Sequence, residues 1–296
     1  MNTPGVSYSA EVLLSFRTLL VHVQVSLKIT FFLFLGVLGV LVIITPVVAS
    51  SPERIVSLAP NVTETLYALD LGDRVVAVSR QCNYPREVKK KPRIGDMVNP
   101  SLELIMSFKP DVVVLTDDGN PKVIWDRLRE LKIFTYVYRP RRLQELPGEI
   151  VKLGRVLDVP DKAEKIARHI EATLKFYGER KKGKERKALF ILQVNPLVVA
   201  GTHTAIDDIF SLLGLKNAAG ELPLSYPTLS REKMVSLNPE IIFVGHDSSR
   251  QEIMKWKEVR AVQRGYVFQM SESLFRMSPR LMNGIGEMAQ FIQSLP

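Results

Sequence analysis

Between Arg142 and Arg180 the chain shows no strand pattern. Leu143, Leu146, Ile150, Leu153 and Leu157 recur at helical spacing. After Asp158-Val159-Pro160 a second apolar stripe runs through Ala163, Ile166, Ala167, Ile170, Leu174 and Tyr177. Stripes of this period predict amphipathic helices that each bury one face. On both sides of the stretch, short apolar runs alternate with helical patterns. That order predicts an α/β protein of two lobes joined by a long, rigid backbone helix, with a ligand cleft between the lobes. The expected division is 50–140 for the first lobe, 141–187 for the connecting helices and 188–296 for the second lobe.

In the first lobe, Ile55 to Leu58, Val75 to Val78, Asp111 to Leu115 and Thr135 to Tyr138 read as strands. Continuous apolar runs such as Asp-Val-Val-Val-Leu suit parallel strands covered on both faces. Asn61 reads as a helix N-cap with Glu64 as its capping-box partner. Asn99-Pro100 reads as a helix start with proline at the first helical position, and a further helix is expected over Pro121 to Leu131. In the second lobe, Ala188 to Val194, Val198 to Ala200, Glu240 to Val244 and Tyr266 to Phe268 read as strands. Thr204 to Leu213, closed by Gly214, Ser230 to Leu237, and Arg280 to Ser294 read as helices. The run KKGKERK from Lys181 to Lys187 reads as a solvated helix end, its lysines near the negative pole of the dipole, in preference to a nucleic-acid patch.

One segment repeats. Glu103-Leu-Ile-Met-Ser-Phe-Lys-Pro110-Asp-Val-Val-Val aligns without a gap on Glu232-Lys-Met-Val-Ser-Leu-Asn-Pro239-Glu-Ile-Ile-Phe. Each copy is a short helix, a proline stop and a buried strand, which points to two related lobes.

Residues 1–49 read as a leader. Ile29 to Ile44 is an uncharged apolar run, preceded by Lys28 and followed by Pro46 and small residues. This is the order of a secretory signal peptide with Ala49 as its last residue. The run also approaches the length of a membrane-spanning helix, so an uncleaved N-terminal membrane anchor is the rival. Residues 1–24 precede the pattern, and a start at Val25 gives an ordinary leader. Either way the rest of the chain is expected outside the cytoplasm, in the periplasm or on the outer face of the cytoplasmic membrane. The formal charge is +9; removing the leader takes away two cations and one anion and leaves +8, so the basicity belongs to the folded part. Cys82 is the single cysteine, which excludes a disulfide framework, a metal knuckle, a CxxC redox site and lipid attachment at the end of the apolar run.

Several stretches carry a family resemblance: Arg54 to Ser79 (RIVSLAPNVTETLYALDLGDRVVAVS), Cys82 to Pro85, Asn99 to Val114, Gly201 to Gly220 (GTHTAIDDIFSLLGLKNAAG), Tyr226 to Val244 and Ser278 to Leu281. In the same order, they resemble the helical-backbone substrate-binding proteins of ABC importers, and within these the vitamin B12-binding receptors and their ferric-chelate relatives. The resemblance implies ligand capture in the cleft and delivery to a dimeric membrane permease with its cytoplasmic ATPase, with no chemistry performed. The cargo it implies is cobalamin or another metal chelate, with a ferric siderophore or haem as alternatives. No catalytic cofactor and no nucleic-acid partner are implied.

By the same resemblance the ligand-binding residues are Asn61, Tyr84, Met97, Val198, Gly201 and Tyr226, with Met97 and Val198 standing where B12 receptors place aromatics. Each has a plainer reading too: Tyr84 as a turn brace before Pro85, Met97 and Val198 as core, Asn61 as a cap. Glu103 and Glu232 are implied to sit on the two lobe tips and engage arginines of the permease, where the plainer reading is complementarity to the helix dipole. Direct metal ligation is not expected, because the four histidines (His22, His169, His203, His246) leave the first lobe without one. A haem would use Tyr84 as its axial ligand. The remote alternative is a secreted hydrolase. His203 lies near Asp207 and Asp208, but no GxSxG, HExxH or P-loop is present, and the two acids read as first-turn residues stabilised by the dipole.

Overall fold

The structure is a computed structural model and describes residues 51–180, 183, 185–245 and 247–296. The stretch read as a leader, with Ile29 to Ile44, Ala49 and His22, lies outside the described residues, as do Lys181, Lys182, Lys184 and His246. Among the described residues no helix is long and apolar enough to cross a membrane.

Two sheets carry the chain, the first all parallel and the second parallel apart from one short strand. In the first, β1 (Ile55–Ser57), β2 (Val75–Val78), β3 (Val112–Leu115) and β4 (Thr135–Val137) lie in the order β2-β1-β3-β4, all parallel. Every residue of β1 and β3 is buried, because helices cover both faces. These helices are α1 (Pro60–Ala68), α2 (Leu102–Ser107) and α3 (Lys122–Glu130).

Two helices follow, α4 (Leu146–Val156) and α5 (Pro160–Glu179). Asp158 turns the chain with a φ of 60° and Pro160 opens α5 at its first position, where its missing N–H is harmless. At 20 residues α5 is about 30 Å long.

The second sheet holds β5 (Arg186–Gln193), β6 (Val198–Val199), β7 (Leu215–Asn217), β8 (Ile241–Val244) and β9 (Val267–Gln269). β5 takes β8 on one edge and shares the other between antiparallel β6 and parallel β7; β9 lies outside β8. Without β6, the order β7-β5-β8-β9 is that of the first sheet. Its helices are α6 (Ala205–Leu213), α7 (Arg231–Leu237), α8 (Asp247–Ile253), α9 (Arg260–Gln263) and α10 (Leu281–Gln293). β7, α8 and α9 were not legible in the sequence, being three to seven residues long.

The repeat is structural. Ser101 caps α2 by accepting from the Leu104 N–H at 3.2 Å, and Ser230 caps α7 by accepting from the Lys233 N–H at 3.1 Å. Lys109 and Asn238, at the same offset, both adopt left-handed φ, 45° and 49°. Each turn feeds a proline, an acid and a fully buried central strand. The helix start expected at Asn99-Pro100 is therefore corrected: Ser101 is the cap and Pro100 precedes it, because a hydroxyl satisfies the first-turn N–H and Asn99 does not reach it.

A second correction concerns α1. Pro60 occupies its first turn, so Ala59 is the N-cap position and Asn61 already lies inside the helix, its Oδ1 accepting from the Val62 N–H at 3.0 Å. Glu64 does not reach back to form a capping box; its carboxylate points to the other lobe.

One apolar cluster runs through both lobes, from Ile55 and Val112 through Leu146, Ile150 and Ile170 to Phe190, Phe210 and Met288. α4 and α5 are its spine. They meet at Gly154, where any Cβ would clash with the Ala163 methyl. Gly154→Val should force the pair apart and lower stability by about 1–3 kcal/mol. A calorimetric Tm equal to wild type would show that the close approach is dispensable.

Candidate functional site

Parallel strands all end on the same edge, and loops leaving that edge are where α/β sheets hold ligands. In the first lobe these loops carry Tyr84 after β2, Asp117 to Asn120 after β3, and Arg141 and Arg142 after β4. In the second they carry Val194 to Leu197 after β5 and Met270 to Arg280 after β9. The two edges face each other, because residues from these loops bond across.

Glu64 is the centre of that crossing. Its side chain is 1% exposed and accepts from Arg276 Nη1 at 2.7 Å and from Ser278 Oγ at 2.7 Å; Arg280 Nε lies 3.6 Å away. Arg276 also donates to Asn83 Oδ1 at 2.8 Å and to Glu272 at 2.8 Å, and Asn83 Nδ2 donates to Glu272 at 2.9 Å. The Arg280 guanidinium then sits 4.0 Å from the centroid of the Tyr84 ring, a cation–π contact.

A second tie joins the start of the helical link to α6. Asp208 is buried and holds Arg142 through both carboxylate oxygens, with Nε at 2.8 Å, and also accepts from the Leu143 N–H at 2.9 Å. This corrects the reading of Asp207 and Asp208 as plain dipole acids. Asp208 is the anion of an inter-element pair, and Asp207 accepts from Asn217 Nδ2 at 3.0 Å and from the His203 N–H at 3.2 Å. The cap of α6 is Thr204, and Gly214 ends it in the left-handed region.

The Tyr84 loop is built from beneath. Arg93 donates to the carbonyls of Ser79, Cys82 and Val88 at 2.7–3.2 Å. Cys82 lies under the loop, its Sγ accepting from Thr63 at 3.0 Å. Burial pushes its thiol up, so it remains a neutral packing group. Tyr84 itself is 45% exposed.

Tyr226 is 54% exposed on a segment that runs along β6: Gly201 N–H donates to Ser225 O at 2.8 Å, and Val199 N–H to Pro227 O at 3.2 Å. Gly201 is buried and spent on this packing. A Cβ there would clash with the Leu224 carbonyl, and its own carbonyl accepts from Thr204 and Asn217. Val198 lies beside that segment, half-buried and bridged to Thr228.

Across from them, Met97 is half-buried and closes on Gly119; its N–H donates to Gln81 Oε1 at 3.1 Å and its carbonyl accepts from Asn120 at 2.8 Å. Asn61 is half-buried in the first turn of α1. Burial, and next the charge of the first lobe's Asp118, raise the Tyr226 phenol above its ordinary value. Arg93, Asn120, Asp118 and the Glu64 partners escaped sequence reasoning; Arg276 stands two residues before the Ser278-Pro-Arg-Leu motif, which is the one signal that pointed near it.

Glu103 and Glu232 are exposed in the first turns of α2 and α7. Beside Glu103, Leu104 and Met106 are also exposed. Glu232 is held below the usual carboxylate range by its own N–H and the Ser230 hydroxyl. Among the described residues no group of three His, Cys, Asp or Glu could hold a metal ion.

Comparison with known proteins places this geometry. A family model described as periplasmic binding protein matches residues 55–274. The vitamin B12-binding protein of Vibrio parahaemolyticus is 28% identical over 248 residues, covering 82% of this chain and 90% of that relative. The crystal structure of the periplasmic vitamin B12 binding protein BtuF of Vibrio cholerae superposes with a TM-score of 0.73 at 26% identity, covering 82% of this chain and 97% of that one. A periplasmic heme binding protein from Pseudomonas aeruginosa shares the fold, with a TM-score of 0.74 at 22% identity over 83% of this chain and 94% of that one.

The Glu64 cluster generates a prediction. Arg276→Met leaves a buried carboxylate short of its main partner and should cost about 3–5 kcal/mol, whereas Glu64→Leu combined with Arg276→Met should recover much of that loss. Urea denaturation of Arg276→Met, Glu64→Leu and the double variant measures it; a double-variant loss equal to the sum of the two single losses would show that the pair is not coupled.

Proposed function

This chain belongs to the periplasmic binding protein family, and from that premise we propose that it captures a corrinoid outside the cytoplasm and hands it to the permease of an ABC importer. The cytoplasmic ATPase of that importer drives uptake, and the chain itself performs no turnover. The observation that carries the reading is a pair of exposed tyrosines, Tyr84 and Tyr226, one on each facing edge of a two-lobe frame. A large, flat, partly apolar chelate needs such aromatic faces with polar groups around them. Met97 and Val198 extend the apolar walls, Asn61 offers its side-chain amide, and Gly201 sets the height of the Tyr226 segment. The identity of the B12-binding relatives adds to the reading. Haem and ferric siderophores are the competing chelates.

Calorimetry with cobalamin, cobinamide, haem and ferric siderophores tests the proposal. One corrinoid per chain should bind with a Kd between micromolar and nanomolar, about −8 to −12 kcal/mol. Tyr226→Ala should weaken it by about 1–2 kcal/mol through lost apolar contact; full affinity in that variant for every accepted chelate would put Tyr226 outside the site.

Delivery calls for an anion on each lobe, and Glu103 and Glu232 fill that role at equivalent exposed positions of the repeat. Interface charges of this kind set register and steering more than affinity. Glu103→Ala and Glu232→Ala should leave chelate binding and folding unchanged and impair transport with the cognate permease, the double variant more than either. Reversal to Arg should be worse than Ala. Normal transport by a double variant that still binds chelate would return both acids to a helix-dipole role.

A further inference from the structure

A cavity of about 270 Å³ opens where the helical link enters the second lobe. The last turn of α5 gives it Tyr177 and Arg180, the end of α6 and the start of β7 give Leu213 and Leu215, and α10 gives Ile292. Arg186 joins the wall from the first residue of β5. Arg186 and Leu215 are partners in the parallel register of β5 and β7, so both stand where their strands begin. That edge is opposite the one whose loops face the first lobe, and the cavity is therefore separate from the cleft. The polar side-chain groups in its wall are the Tyr177 hydroxyl, the Gln293 amide and the two guanidiniums; among the described residues no acidic side chain lines it. Neither guanidinium pairs with an acidic side chain of the described residues. Arg180 lies 5.3 Å from the centroid of the Phe176 ring, and its terminal nitrogens meet the Gln293 amide oxygen, once that amide is turned toward them, at 3.1 and 3.3 Å. Arg186 donates through one terminal nitrogen to the main-chain oxygen of Pro296.

Protein interiors are close-packed, and voids larger than a water molecule are few. An apolar cavity of about 150 Å³ holds a benzene molecule, so this one has room for a chain of about eight carbons. A guanidinium carries five N–H donors in a fork that fits a carboxylate, and bonds to an ionised acceptor are stronger than bonds to neutral oxygens. We propose that the cavity binds a small aliphatic carboxylate, with its chain against Tyr177, Leu213, Leu215 and Ile292 and its head group on Arg180 and Arg186. Both halves set the ligand class: an alcohol of the same length lacks the charge, and an amine brings the wrong sign. The occupant bridges α5 of the link and α10 of the second lobe, so it also stabilises the folded chain by mass action. The site is independent of what the cleft holds.

Calorimetry on the full chain with sodium octanoate, and with octan-1-ol and octylamine as controls, tests this. One octanoate per chain should bind with a Kd below about 1 mM, and both controls should bind at least about tenfold more weakly. Hexanoate, two methylenes shorter, should bind about tenfold more weakly than octanoate. Ala289 is a buried part of the cavity wall, and Ala289→Leu should fill the space and abolish octanoate binding, with Tm at or above that of wild type. Arg180→Gln combined with Arg186→Gln should weaken octanoate by about tenfold and leave octan-1-ol unchanged, a difference that general loss of structure does not produce. Saturating cobinamide should leave octanoate affinity as it was; a loss would put octanoate in the cleft and overturn the assignment. Full octanoate affinity in Ala289→Leu overturns it too, as does a wild type that binds no octanoate at millimolar concentration. Octan-1-ol binding as tightly as octanoate would return both arginines to answering the negative ends of α5 and α10, and the proposal would fall.

Discussion

A carboxylate taken out of water at Glu64 holds the two facing sheet edges in register. An isolated buried ion of this kind costs several kcal/mol. Here three groups of the opposite lobe, Arg276, Ser278 and Arg280, meet it. Because those three lie on the segment between β9 and α10, that segment crosses to the first lobe. The crossing brings Arg280 onto the Tyr84 ring and ties Asn83 to Glu272. The aromatic wall of the first lobe is thus positioned by a charge that the second lobe completes.

The frame behind this edge limits how far the lobes can separate. Asp208 grips Arg142 where the helical link begins, and the apolar cluster passes through α4 and α5 without a break. A close-packed interior resists deformation. The packing therefore allows small adjustments of the loops more readily than a wide hinge between the lobes.

On the facing edges the same local economy recurs. Each exposed loop is secured from beneath: the Tyr84 loop by Arg93 and Cys82, the loop after β3 by Asn120, the Tyr226 segment by Gly201 and β6. The anchors are buried polar groups with their hydrogen bonds made, which rigidifies loops that regular structure does not reach.

The strand runs other than β7, the proline that opens α5, the Thr204 cap and Gly214 stop of α6, and the repeat from Glu103 to Val114 were all legible in the sequence. Each rests on hydrogen bonding or periodicity among residues a few positions apart. The capping box at Asn61 and Glu64 was misread for the same reason: the spacing is identical whether the glutamate turns back to its own helix or outward. What it meets, Arg276, stands 212 positions along the chain, and likewise Asp208 meets Arg142 across 66. Sequence alone therefore determined most of the elements, the two-lobe order and the family. The tertiary structure decided which acids are buried, which tyrosines stay open and which charges pair between the lobes, because burial and pairing depend on neighbours that only the folded chain brings together.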